Sequence, residues 1–131
     1  MSKELGDIAE LCFMSRAKIA GFTLLTPYSS NCAYDLALEY NGKINKIQIK
    51  CTNVTHENTV GKYYRIICSK GRDSKKDYTS KEVDFFAFYI MPTQQFYIIP
   101  FKDIKSKNIK LYPDKKDHRY SKYLENFSIL K

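Results

Sequence analysis

Residues 34–50 read Tyr34-Asp35-Leu36-Ala37-Leu38-Glu39-Tyr40-Asn41-Gly42-Lys43-Ile44-Asn45-Lys46-Ile47-Gln48-Ile49-Lys50. Asn-Gly between two runs of alternating apolar and polar residues is the strongest short-range signal for a β-hairpin with a two-residue type I′ turn. If Asn41 and Gly42 form that turn, the numbers of facing residues on the two strands sum to 83. Asp35 is then expected directly opposite Gln48.

The hairpin register predicts a polar patch on one side of the second strand. Side chains alternate along a strand, so Gln48 and Lys50 share one face, whereas Ile47 and Ile49 point the other way, toward a core. Directly opposed residues have β-carbons about 4.5–5.5 Å apart. We therefore expect a carboxylate, an amide and an ammonium group to converge where Asp35 faces Gln48.

This patch has the groups that hydrolysis of a phosphodiester requires, namely oxygen ligands for a metal ion and a nearby cation. Asp35 would be the main metal ligand and Gln48 an auxiliary one through its carbonyl oxygen. Lys50 would position the attacking water or the scissile phosphate. The alternative is that Asp35 is a surface residue and Lys50 a solvated strand end, but aspartate is disfavoured within strands, which favours the functional interpretation.

A helix is predicted ahead of the hairpin, over residues 3–20, with Ser2 as its N-cap and Gly21 as its terminator. Its apolar arc at helical spacing is expected to comprise Leu5, Ile8, Ala9, Cys12, Arg16 and Ile19. A short β-type run follows at residues 22–26 and stops at Pro27.

Three further β-type runs follow the hairpin, at residues 62–68, 83–91 and 95–100. Between the first two lies a polar stretch, residues 69–81, which predicts a long mobile loop. Four of its cations are candidates for contacting a phosphate backbone, although they could equally be solubilising. They are Lys70, Arg72, Lys75 and Lys76. A short helix is expected in the tail near residues 121–126.

The charge balance favours a polyanionic partner. The chain has 131 residues, with 22 Lys and Arg against 14 Asp and Glu, and a formal net charge of +8. Such a charge attracts nucleic acid through counterion release. Membrane association is not expected because the sequence has no long apolar run, and Glu4, Asp7 and Glu10 stand where a signal peptide would be basic and then apolar. We expect a soluble, intracellular protein, in the cytoplasm or, in a eukaryote, the nucleus.

The four cysteines are Cys12, Cys32, Cys51 and Cys68. They form no C-x-x-C pair, so neither zinc nor a disulfide is expected. Free thiols at core or near-core positions are the prediction.

The order of these motifs resembles the PD-(D/E)XK nuclease family: a helix with a glutamate, then Tyr-Asp-Leu, then a strand ending Ile-Gln-Ile-Lys. The likeness is closest to a branch containing a group I intron homing endonuclease, in which glutamine similarly replaces the usual second acid. Gly6-Asp7-Ile8-Ala9-Glu10 is similar to that branch's helix start, and residues 83–89 and 97–100 are similar to its closing strands. The resemblance covers about residues 4 to 100.

The resemblance implies an α/β fold with a restriction-endonuclease-like core, in which helices flank a central mixed β-sheet. It predicts one nuclease-like domain over residues 1–131, with a core at about 4–100 and a C-terminal extension at 101–131. It implies a Mg²⁺-dependent DNA endonuclease of the homing or restriction type, with Mn²⁺ as a possible substitute. Because so small a chain holds one site, cutting both strands requires a homodimer or homotetramer.

The resemblance also implies the site residues. The expected catalytic set is Glu10, Asp35, Gln48 and Lys50, with Asp35 and Gln48 as metal ligands. Without the resemblance, Glu10 would be taken as an ordinary surface glutamate. Two positions depart from the family pattern: Tyr34 replaces the usual proline, and Gln48 removes a carboxylate, which weakens metal affinity.

Other functions stay open. A Holliday-junction resolvase uses the same core and a similar spacing. A non-catalytic DNA-binding module would follow if the site had decayed with the loss of the second acid. A protein-interaction domain with incidental charge is the third alternative.

Overall fold

The computed structural model of the chain describes residues 3–69 and 77–131. One α-helix lies within these ranges, α1 (Lys3–Ile19). The strands are β1 (Thr23–Leu25), β2 (Leu36–Tyr40), β3 (Lys43–Thr52), β4 (His56–Glu57), β5 (Lys62–Ile67), β6 (Phe85–Ile90), β7 (Gln95–Pro100) and β8 (Asn108–Leu111).

The larger sheet has five strands in the order β1-β2-β3-β6-β7. Strands β3 and β6 are parallel, whereas the other neighbours are antiparallel, so the sheet is mixed. In the hairpin, Leu36 pairs with Ile47 and Tyr40 with Lys43. The turn residues Asn41 and Gly42 have φ of 51° and 83°, as a type I′ turn requires. The predicted hairpin and its register are confirmed.

Helix α1 packs on the face of this sheet that carries Ile47 and Ile49. Its buried stripe is Ala9, Phe13 and Ala17. The arc predicted from sequence is wrong for Ile19, which is 81% exposed, and Ile8 lies at the surface as well. Apolar residues occupy more than one side of this helix. The side that packs on the sheet is the one where Ala9 and Ala17 allow a close approach and Phe13 fills the remaining space.

A second sheet covers the opposite face, with three strands in the order β4-β5-β8. Its inner residues include Tyr64, Ile66 and Leu111, which pack in one core with Phe86 and Phe88 of β6. The central sheet therefore has the helix on one side and a smaller sheet on the other. Strands β4 and β8 were not predicted. Both are too short to show a clear alternating pattern, and they are defined by their pairing with β5.

The C-terminal segment contributes to both cores. The helix expected near residues 121–126 is instead a pair of 3-10 turns, Ser121–Tyr123 and Phe127–Leu130. Tyr123 packs in the core beneath the small sheet, and Phe127 and Leu130 pack against the α1 side. Residues 101–131, predicted as an extension to the core, thus supply part of it.

All four cysteines are free thiols, but Cys32 is exposed, contrary to the predicted core position, because it lies in the loop before β2. Lys70, Arg72, Lys75 and Lys76 lie outside the described residues. No helix within residues 3–69 and 77–131 is long and apolar enough to cross a bilayer.

Candidate active site

Asp35 stands one residue before β2 and is held against β3 by two hydrogen bonds. Its backbone N–H donates to the Ile47 carbonyl at 2.9 Å, and its Oδ2 accepts from the Ile49 N–H at 2.8 Å. Continuing the register one step beyond the Leu36–Ile47 pair brings the Asp35 position opposite Gln48. The carboxylate is therefore fixed at the edge of the central strand.

Burial dominates the electrostatics of Asp35. Desolvation raises the pKa of its carboxyl, whereas the hydrogen bond from Ile49 and the positive charge of Lys50 lower it without cancelling the effect of burial. Removal from water destabilises the charged form of a carboxylate, and a nearby cation would stabilise that form.

Glu10 reaches the same place from the helix. Burial raises the pKa of its carboxyl first, and the negative charges of Asp35 and Asp7 raise it further. The structure therefore brings Glu10 close enough to Asp35 for the two carboxylates to repel each other. Helix α1 therefore places Glu10 beside the hairpin, a relationship that only the family resemblance had predicted.

Lys50 has a partly buried ammonium group. Burial lowers its pKa, and the negative charge of Asp35 raises it in part. Its Nζ donates a hydrogen bond to the Ser69 carbonyl at 3.1 Å and lies 5.4 Å from the centre of the Tyr78 ring. A carbonyl and an aromatic face thus orient this cation.

Sequence reasoning missed the two residues that hold Lys50. Tyr78 packs edge-on against Phe86, with ring centres 5.4 Å apart, and burial, aided by the charge of Asp35, raises its pKa to about 12. One signal was available, because Tyr78 is the sole aromatic residue in the polar stretch 69–81. Ser69 acts through its backbone carbonyl, which leaves no signal in the sequence.

Gln48 lies between Lys46 and Lys50 on the same face of β3, and pairs with Phe86 of β6. Its side chain is half-buried. Its amide carbonyl oxygen would be a neutral metal ligand. The candidate site therefore has two carboxylates, Glu10 and Asp35, together with one amide.

The donor set fits a hard divalent cation. Within the described ranges, no cluster of three or more His, Cys, Asp or Glu side chains could hold a metal ion. The oxygens of Glu10, Asp35 and Gln48 are nevertheless of the type that Mg²⁺ prefers. A cation beside the two carboxylates would offset the repulsion that raises the pKa of Glu10. The nearby Cys68 thiol does not compete as a ligand, because burial raises its pKa to about 12.

Comparisons with known proteins agree with this architecture. The chain matches the sequence profile of a family described as PD-(D/E)XK endonuclease over residues 1–130. No curated protein matches it. Among solved structures, the bacterial homing endonuclease I-Ssp6803I is 23% identical with a TM-score of 0.75, over 99% of this chain and 93% of that one.

A second similar structure is Hjc, a Holliday junction resolvase from the archaeal hyperthermophile Archaeoglobus fulgidus. It is 14% identical with a TM-score of 0.58, over 95% of this chain and 94% of that one. At these identities the two structures show a shared fold. The α/β, restriction-endonuclease-like core expected from the sequence is confirmed.

Proposed function

From the premise that this chain belongs to the PD-(D/E)XK endonuclease family, as its motifs predicted, we propose that it is a Mg²⁺-dependent DNA endonuclease of the homing or restriction type. One observation carries the proposal. Asp35 Oδ2 accepts from the Ile49 N–H at 2.8 Å at a position opposite Gln48, one same-face step from Lys50, and the charge of Asp35 contributes to the pKa shifts of both Glu10 and Lys50.

Asp35, Glu10 and Gln48 are the residues that would hold the metal ion. When bound there, Mg²⁺ would supply positive charge to the scissile phosphate and to the attacking water. Asp35 is the better placed of the two carboxylates, because the Ile49 N–H fixes its orientation. Gln48 would contribute a neutral oxygen, so the site would hold the cation with less negative charge than a three-carboxylate site.

Lys50 positions the reacting groups. Its ammonium donates to the Ser69 carbonyl and retains further N–H donors. One of them would orient the water that attacks phosphorus in a single step, or bind the phosphate oxygen on which negative charge develops as the P–O bond breaks. Because the ammonium is partly buried, its attraction for that charge is less screened by water than at an open surface.

We propose a single domain over residues 1–131 that binds DNA and forms a homodimer or homotetramer, because one site cuts one strand. Four free thiols support an intracellular location, where thiols stay reduced. Mn²⁺ would substitute for Mg²⁺, since both prefer oxygen ligands.

A Holliday-junction resolvase is the alternative, and the similarity to Hjc supports keeping it. A resolvase would cut a four-way junction and leave linear duplex intact. A third possibility is a DNA-binding module that has lost catalysis with its second acid, which predicts binding without cleavage at any metal concentration.

The test is cleavage by purified protein of supercoiled plasmid, linear duplex and a synthetic four-way junction, each with Mg²⁺, Mn²⁺ or EDTA. We expect metal-dependent nicking or linearisation of the plasmid, abolished by EDTA. Cleavage confined to the junction would replace the first proposal by the second. Undiminished cleavage by Asp35→Ala and Lys50→Ala would overturn the assignment of these residues.

A further inference from the structure

The outer face of the small sheet juxtaposes two cations. Arg65 of β5 stands directly opposite Lys110 of β8, and both side chains are exposed. Like charges that face each other across neighbouring strands destabilise a sheet. This pair therefore calls for an explanation other than stability.

No acidic partner neutralises the pair within the described residues. The ion pairs found there are Arg16 with Glu125 and Lys107 with Asp77. Arg65 and Lys110 take part in neither. Their charges are consequently available to an anion from outside the protein.

Aromatic rings form a row beside these cations. The ring centres of His56 and Tyr63 are 5.2 Å apart, those of Tyr63 and Tyr112 5.5 Å, and those of Tyr112 and His118 4.3 Å. The Lys110 ammonium lies 5.0 Å from the centre of the Tyr63 ring. His56 and Tyr63 are stacked, whereas the other two ring pairs are tilted, and the Lys110 cation lies over the first Tyr of this row.

A cleft of about 290 Å³ continues the face, and none of the residues that line it is acidic. Lys110 and Arg119 are its cationic members, His118 lies beside them, and the side-chain amide of Asn108 is a further donor, whereas the Ser106 hydroxyl already donates to the Asn108 backbone carbonyl at 2.6 Å. The Nδ1 atom of His118 is buried and has no hydrogen-bond partner within the described residues. Residues 105–122 carry seven Lys or Arg and two Asp, so much of the net charge of the protein is concentrated here.

We infer that this face, defined by Arg65, Lys110, Arg119 and His118, binds the phosphate backbone of DNA outside the active site. The choice of DNA rests on the proposed function; the preference for phosphate rests on the unneutralised cations. The face connects to the active site along β5, because Arg65 lies four residues before Ser69, whose carbonyl accepts from Lys50. Strand β5 ends at Ile67, so the path includes two residues beyond it; four residues of extended chain span at most about 13 Å, comparable with about four base-pair steps.

The test measures binding rather than cleavage. The double variant Arg65→Gln/Lys110→Gln is compared with Lys18→Gln/Lys43→Gln, which removes the same charge from exposed lysines on α1 and at the start of β3. Both are made in a Lys50→Met background, and binding of a labelled duplex is followed by fluorescence anisotropy between 50 and 200 mM salt without divalent metal.

For the Arg65/Lys110 variant we expect at least about tenfold weaker binding at 100 mM salt and a salt dependence whose slope falls by about two. The control should bind within about twofold of its parent. Folding is checked by thermal denaturation, in which the Arg65/Lys110 variant should melt no lower than its parent, because a like-charge pair has been removed.

Equal losses of affinity in the two double variants, or no loss in either, would overturn the inference. The outcome is separable from that of the proposed function. If wild type cleaves DNA but the Arg65/Lys110 variant binds like the control, this inference alone fails. If wild type cleaves nothing but binding depends on Arg65 and Lys110, the nuclease proposal alone fails.

Discussion

Asp35 and Asp84 bind the central strand in the same way. Oδ2 of Asp35 accepts from the Ile49 N–H and Oδ2 of Asp84 accepts from the Lys46 N–H, each at 2.8 Å. Each aspartate also donates its own N–H to a carbonyl of β3 at 2.9 Å. At Asp35, burial raises the pKa of the carboxyl, and the hydrogen bond from Ile49 and the charge of Lys50 lower it in part.

This pair yields a matched test of Asp35. We expect Asp35→Asn to lower the cleavage rate by about 100-fold or more, since a metal ligand is lost. Asp84→Asn should keep cleavage within a few-fold of wild type and lose about 0.5–1.5 kcal/mol of stability, because a neutral acceptor replaces a charged one. Single-turnover cleavage and urea denaturation measure the two effects. Equal loss of cleavage in both variants would make Asp35 a structural residue.

Lys50 also has a matched partner on its own strand. Lys46 lies on the same face of β3 and likewise donates from Nζ to a backbone carbonyl, that of Lys81. We expect Lys50→Met to reduce single-turnover cleavage by about 100-fold with unchanged DNA affinity, and Lys46→Met to leave cleavage intact. Comparable cleavage by the two variants would remove Lys50 from the mechanism.

Stability should depend on pH through Asp35. Its folded-state pKa is raised above the ordinary value of 3.8, so the folded protein binds this proton more tightly than the unfolded chain does. The resulting stabilisation is complete below 3.8 and is lost as pH rises through the raised pKa. Wild type should therefore lose stability relative to Asp35→Asn between acid and neutral pH, as measured by urea denaturation at a series of pH values. A gain over the same interval would contradict the direction of the shift.

Metal should stabilise the folded protein without DNA. A cation beside Glu10 and Asp35 offsets their repulsion, and a ligand at tenfold its Kd adds about 1.4 kcal/mol. We expect the melting temperature of wild type to rise with Mg²⁺ or Mn²⁺ and that of Asp35→Asn to stay constant. An equal rise in both would place the metal elsewhere. Matched ionic strength with NaCl is the control.

Tyr78 should act on cleavage through its ring. Tyr78→Phe keeps the contact with the Lys50 ammonium, which lies 5.4 Å from the ring centre, and should cleave at nearly the wild-type rate. Tyr78→Leu removes the aromatic face and should slow single-turnover cleavage by about five- to tenfold, as expected for a cation–π contact of about 1 kcal/mol. If Tyr78→Leu changes the KM less than it changes the cleavage rate, Tyr78 is a positioning residue. Equal rates for the two variants would exclude this role.

Local chemistry in the sequence was sufficient for the hairpin. Asn41 and Gly42 tolerate the positive φ that the turn requires, and the alternation of residues then sets the register through Asp35 and Lys50. A two-residue turn leaves little freedom of pairing, so arithmetic on residue numbers was enough.

Interactions between distant segments were less accessible. The helix exposes Ile19 and buries Ala17, because packing against the sheet decides which of several apolar sides of the helix is buried. Glu10 was expected on resemblance alone, since its nearness to Asp35 depends on how α1 docks. The role of Ser69 was not predictable because it acts through its backbone carbonyl, which every residue has. Strand β8 is short, and its pairing with the distant β5 is what identifies it as a strand.

The pairing of β5 with β8 also leaves one edge of β5 without its partner during part of protein synthesis. Arg65 and Lys110 face each other although they are 45 residues apart in the sequence, so β5 leaves the ribosome well before its partner does. At about 5–20 residues per second, the open edge of β5 waits a few seconds for β8. A ribosome that stalls in this interval holds a chain whose unpaired strand edge is open to aggregation.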